Sequence, residues 1–107
     1  MKFGLKPETV KKIQDCLSQF EHIDQAIIYG SRALGKHRPG SDIDLTLRGN
    51  KLTYTDLAKL ENKIDDLLLP YKFDFSIFHA IDNQELVDHI ERVGVPFYAK
   101  SEPLQNR

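Results

Sequence analysis

Residues 29–45 read YGSRALGKHRPGSDIDL, and two incompatible readings compete for them. From Gly30 the run matches G-x-x-x-x-G-K, the start of a phosphate-cradling P-loop, except that His37 stands where that loop carries Ser or Thr. Read to its end, it gives Gly30-Ser31, ten further residues, and then Asp42-Ile43-Asp44. A P-loop needs a helix beginning at its lysine, so that backbone N–H groups and the helix dipole hold the phosphates. Here Lys36 is followed by His37, Arg38, Pro39 and Gly40, which cannot continue a helix, and His37 is a poor Mg²⁺ ligand. The P-loop match is a coincidence. Its useful residue is local: Gly30 ends a strand and lets backbone approach a bulky anion, and Ser31 opens a helical turn whose N–H and hydroxyl can meet a phosphate.

Working outward, QAIIYG reads as a short buried strand ending at Gly30, SRALGK as a helical turn or two, and HRPGS as a turn. DIDLTLR alternates strictly: Ile43, Leu45 and Leu47 face one way, Asp42, Asp44 and Thr46 the other. KFDFSIF alternates too, with Phe73, Phe75 and Ile77 opposite Asp74 and Ser76. A first helix is expected over 7–21 from Pro7, Glu8 and the spacing of Val10, Ile13, Leu17 and Phe20. TDLAKLENKIDDLLL predicts a second, with Leu57, Leu60, Ile64, Leu67 and Leu68 on one face and Pro70 after it. Asp82 with Glu85 resembles a capping box for a helix over DNQELVDHIERVG closed by Gly94, and VPFYA reads as a last short strand. The expected fold is therefore α/β (α+β): a small mixed sheet with helices packed on one face and an acidic active-site face.

That acidic face is the chemical signal. Residues i and i+2 of a strand point the same way, so Asp42 and Asp44 present paired carboxylates. Such neighbours repel unless a cation lies between them or one is protonated. Hard oxygen ligands without His or Cys suit Mg²⁺ or Mn²⁺ rather than zinc. If the Asp74 strand lies beside DIDLTL, three carboxylates share one space and can hold two divalent ions about 4 Å apart. One ion would chelate a triphosphate and the other would activate an attacking hydroxyl, with Asp74 as the general base. A lone D-x-D strand is usually only a solvated edge; the Gly-Ser strand end, D-x-D and later strand Asp together are far more specific.

Gly30-Ser31, ten residues, Asp42-x-Asp44 and then Asp74 resemble the DNA polymerase β-like nucleotidyltransferase superfamily. The short length and GSRALGKHRPGSDIDL are similar to its minimal nucleotidyltransferases, the MntA-type antitoxins of HEPN/MNT modules, over about residues 5–98. The resemblance implies a nucleotidyltransferase fold, with Gly30 and Ser31 on the β- and γ-phosphates of ATP, Asp42 and Asp44 ligating both metal ions, and Asp74 one. It implies transfer of AMP to a hydroxyl with release of pyrophosphate, and for the antitoxin group a tyrosine of a small helical HEPN partner as acceptor. Two departures stand out: Leu34 replaces a basic residue common in relatives, and Gly40 a polar one. Neither removes a metal ligand.

The remaining residues are less specific. Arg32 is read as a phosphate contact or as a pin of the loop by a salt bridge, in equal measure. Lys36, His37 and Arg38 read as a solvated basic loop. His22, His79 and His89 lack zinc spacing, and the four tyrosines are too scattered for a base-stacking platform. A net charge of −1 offers no basic field for nucleic acid, the one cysteine, Cys16, allows no internal disulfide, and no segment approaches a membrane span. The chain is expected to be a single cytoplasmic domain over 1–107, its core at about 5–98 and 99–107 a loose tail, with no membrane or direct nucleic-acid partner. A lone domain leaves an open cleft that excludes water poorly, so a partner protein or a homo-oligomer is expected to complete the site. The alternative function is a nucleotide-binding regulatory subunit that neutralises its partner by contact rather than catalysis.

Overall fold

The structure is a computed structural model, and it describes residues 1–101. Of the tail expected to be loose, 102–107 lie outside the described residues. The part inside is tied down: Ala99 ends a strand, while the Lys100 N–H donates to Asp24 O and its Nζ to Glu21 O.

The elements run α1 (Pro7–Ser18), β1 (Gln25–Tyr29), α2 (Ser31–Leu34), β2 (Ile43–Arg48), α3 (Tyr54–Asp65), β3 (Phe73–Ile77), a 3-10 turn at Phe78–Ala80, α4 (Gln84–Val93) and β4 (Val95–Ala99). The four strands form one mixed sheet in the order β3-β2-β1-β4. β1 is antiparallel to both β2 and β4, and β2 is parallel to β3. Parallel neighbours need a long crossover, and α3 supplies it.

The alternation in the sequence places the core. Ala26 and Ile28 of β1, Ile43, Leu45 and Leu47 of β2, and Phe75 and Ile77 of β3 are buried in one cluster with Ile13 and Leu17 of α1 and Leu60 and Ile64 of α3. Each fully buried Leu or Ile contributes about 1.5–3 kcal/mol. Thr53 and Asp56 form a reciprocal capping box that starts α3.

Several boundaries differ from expectation. α1 stops at Ser18 rather than 21, because the Gln19 and Phe20 N–H groups bond three residues back, to Cys16 O and Leu17 O. α3 ends at Asp65, so Leu68 is not on its apolar face: it takes φ 55° in the turn before Pro70 and is 87% exposed. The cap of α4 is Asn83, whose Oδ1 accepts from the Leu86 N–H, not Asp82. Gly94 does close α4, but with φ −65°; its hydrogen side chain matters because a Cβ would strike Ile90 O and Ile27 Cγ2. The first residues hold an unexpected hairpin, Lys2 bridged to Leu5 across Phe3 and Gly4, both at positive φ.

Packing of all helices on one face holds for α1 and α3 only. α4 lies over the opposite face along β1: the His89 ring meets the Tyr29 ring edge-on at 6.1 Å, Gly94 abuts Ile27, and buried Ile90 lies outside the main core cluster. Its apolar face needs cover, and the β1 side of the outer face is where the sheet carries Ile27 and Tyr29 rather than carboxylates.

Candidate active site

The outer face is built by register. Asp44 on β2 is the partner of Asp74 on β3 and of Tyr29 on β1, so the three side chains leave the sheet on one side. Thr46 and Ser76 form the next rank inward, joined by a bond from Ser76 Oγ to Thr46 Oγ1 at 2.8 Å. Asp42 is exposed in the residues leading into β2. Behind Asp44 lies Gly30, at φ 76° and ψ −154°, and a Cβ there would overlap Asp44 Oδ2. Glycine is thus required twice, by the conformation and by the space.

The electrostatics follow from this crowding. Burial, then Asp74, then Asp42 raise the pKa of the Asp44 carboxyl, while His89 and Arg32 pull it back. Burial likewise raises that of the Tyr29 phenol; the nearby Ser76 hydroxyl pulls it back, and Asp74 and Asp44 add to the rise. Asp74 and Asp42 therefore both act on Asp44, yet among the described residues no three His, Cys, Asp or Glu side chains close into a ready cage for a metal ion. Like charges standing apart is what repulsion dictates for carboxylates alone. The donor set still fits a hard divalent ion, being all oxygen, with two members adjacent by strand register.

Arg32 answers the question left open by the sequence. It is 3% exposed, and its guanidinium donates to Phe3 O and twice to Ser41 O while stacking 5.0 Å from the Tyr71 ring centre. It pins the loop through carbonyls, with no carboxylate partner among the described residues, and ties the N-terminal hairpin and the Arg38–Ser41 turn to the loop at Gly30-Ser31. α2 then ends on Gly35 at φ 72°, the Lys36 N–H returning to Ser31 O. Ser31 is half-buried beside Gly30. Leu34 is exposed, so α2 shows solvent an apolar group.

The register thus brings Asp44, Asp74 and Gly30 together, with Asp42 within electrostatic reach. Two residues on this face were not singled out as site residues by sequence. Tyr29 counts as one of four scattered tyrosines in the sequence, although its place directly before Gly30 and in alternation with core residues Ala26 and Ile28 puts it on the opposite side of β1 from the core. His89 was tested only for zinc spacing, and its position depends on α4 crossing to the outer face.

Comparison with known proteins agrees with this geometry. Residues 11–103 match the family model described as polymerase beta, nucleotidyltransferase. No curated protein matches. Among solved structures, a toxin–antitoxin complex with AMP-PNP is similar at 16% identity and a TM-score of 0.67, over 95% of this chain and 77% of that one. A chain of the complex of tri-AMPylated Shewanella oneidensis HEPN toxin with MNT antitoxin is similar at 15% identity and a TM-score of 0.66, over 90% and 74%. A Sulfolobus solfataricus nucleotidyltransferase-like structure follows at 18% identity and a TM-score of 0.53, over 85% and 77%. At these identities the likeness is one of fold.

Proposed function

The chain belongs to the polymerase beta nucleotidyltransferase family, and from that premise we propose that it transfers AMP from ATP to a hydroxyl in a Mg²⁺-dependent reaction, with a tyrosine of a HEPN-type helical partner as acceptor. The observation that carries the reading is the register pairing of Asp44 with Asp74 beside a glycine that only a missing side chain can fit. A structural surface gains nothing from paired carboxylates, which destabilise the sheet they sit on.

In this reading Gly30 and Ser31 take the β- and γ-phosphates, and the Arg32 pins keep that loop in place before nucleotide arrives. Asp42, Asp44 and Asp74 would hold the divalent ions, which when bound neutralise phosphate charge and acidify the acceptor hydroxyl. Asp74, on the outermost strand and exposed, is placed to receive the proton of an acceptor approaching from solvent. The acceptor's hydroxyl oxygen attacks the α-phosphorus, and pyrophosphate leaves on the far side. The partner complexes of the fold neighbours, one of them AMPylated, support a protein acceptor.

The test is incubation with α-labelled ATP, Mg²⁺ and the protein encoded beside this chain. Label on a partner tyrosine, lost with Asp42→Asn, supports transfer. Full neutralisation of the partner by an Asp42→Asn, Asp44→Asn double variant would instead assign neutralisation to contact alone.

A further inference from the structure

The inward side of α4 is apolar with one exception. Leu86, Val87, Ile90 and Val93 are buried or half-buried, Gln84, Glu85, Asp88, Glu91 and Arg92 are exposed, and His89 is the one inward titratable group. Its ring stands edge-on to Tyr29 at 6.1 Å and 79°. Among the described residues its imidazole makes no hydrogen bond within the protein, and it is half-buried, so a ring nitrogen remains free to bind a ligand. Apolar inward helix positions normally hold Leu or Ile; an imidazole there keeps its ring nitrogens open to solvent or to a ligand.

The side of the cleft on which it stands decides what that partner is. Across the outer face the order is Asp74 on β3, Asp44 on β2, then Tyr29 and Gly30 at the end of β1, with His89 over β1. Displacement at phosphorus places the entering and leaving oxygens roughly in line, on opposite sides. With the acceptor at Asp74, the leaving polyphosphate is on the Gly30 side, which is the side of His89. That end lacks other side-chain cations from α2: Arg32 is committed to Phe3 O and Ser41 O, and Leu34 is apolar. We propose that His89 is a polyphosphate-binding residue of the site, its imidazole N–H donating to the β- or γ-phosphate of the nucleotide and then to the released pyrophosphate. This rests on the proposed reading of the cleft and adds a contact from α4.

Calorimetric titration with magnesium pyrophosphate, Mg-ATP and AMP separates the possibilities. His89→Phe keeps a ring against Tyr29 but removes the donor; His89→Gln keeps a donor without the ring. Loss of one charge-assisted bond should weaken pyrophosphate and ATP about tenfold or more in His89→Phe, leave AMP within about twofold, and leave His89→Gln between wild type and His89→Phe. Thermal melts establish that each variant folds, and His89→Leu takes the place of His89→Phe should the latter fail to. Wild-type pyrophosphate affinity in the donor-less variant overturns the contact while the cleft reading stands. Equal weakening toward AMP overturns it as well, since that marks a general loss of the site. Failure of the wild-type protein to bind pyrophosphate with Mg²⁺ overturns both.

Discussion

Asp44 and Asp74 are register partners on adjacent parallel strands, so two carboxylates leave the sheet side by side with no cationic side chain between them on either strand. Like charges directly opposite cost a sheet up to about 1 kcal/mol. The fold tolerates the pair because the other face of the same two strands supplies Ile43, Leu45, Leu47, Phe75 and Ile77 to the core.

Removing one of those charges should therefore separate stability from function. Asp44→Asn is expected to melt at the same temperature as the wild type or a few degrees above it without metal, since about 1 kcal/mol corresponds to several degrees in a domain of this size. Added Mg²⁺ should raise the wild-type melting temperature through preferential binding to the folded state, and should no longer do so in the variant. Differential scanning fluorimetry with and without Mg²⁺ reads both. A variant less stable than wild type in EDTA would mean that Asp44 holds the fold by a favourable contact instead.

Gly30 and Gly40 both take positive φ, 76° and 88°, but only Gly30 faces an obstacle. Gly40→Ala meets open space and should cost about 1 kcal/mol of backbone strain. Gly30→Ala adds displacement of the Asp44 carboxylate, so it should cost about 2–3 kcal/mol and abolish nucleotide binding. Urea melts of the two variants side by side, with ATP titrations on each, check the difference.

How far the sequence carried depended on whether each signal was local. The strands around Asp44 and Asp74 were legible because one face is apolar and the other acidic, which fixes period and orientation together. The parallel pairing of β2 and β3 was only an assumption there, since register between distant segments is set by packing. Leu68 was misplaced because helical spacing continues through LLLP, while Pro70 and a left-handed Leu68 end the pattern earlier. The Phe3-Gly4 hairpin was missed since Phe is an unlikely residue at positive φ; it is held there by tertiary contacts, Phe3 giving its carbonyl to Arg32 and its ring to Phe97. α4 carries a clear apolar stripe, but nothing along the chain says which face of the sheet that stripe covers, and so His89 is weighed there only as a zinc ligand.

Arg32 should behave as a structural residue in the absence of any nucleotide. Lysine can supply a charge but not the fork that reaches Phe3 O and Ser41 O at once. Arg32→Lys is expected to lose about 3 kcal/mol, because a buried cation is left with too few partners. A double-mutant cycle with Tyr71→Leu should give a coupling of about 1 kcal/mol from the stacked guanidinium. Unchanged urea stability of Arg32→Lys, with weakened ATP binding, would return this residue to direct phosphate contact.

His22, Asp56 and Thr53 join the α1–β1 loop to the start of α3, and they give the fold an acid-sensitive contact at the opposite end of β1 and β2 from Gly30 and Asp44. His22 Nδ1 lies 2.9 Å from Asp56 Oδ2, and the same carboxylate accepts from the Thr53 N–H. His22 is the main cause that holds the Asp56 carboxyl below its ordinary value; burial opposes this, and the Thr53 backbone and hydroxyl add to it. A carboxyl that binds its proton less readily in the folded chain than in the unfolded one stabilises the fold above the unfolded value, near about 3.9, and loses that contribution as pH falls through the lower folded value. Asp56→Asn should therefore be less stable than wild type at pH 7, and the gap should narrow as pH drops from about 4 toward 2. Taking the difference between the two proteins cancels the other carboxylates, which titrate in both. Urea midpoints measured across that range give the gap directly, and a gap of constant size would show that Asp56 acts only as a neutral cap.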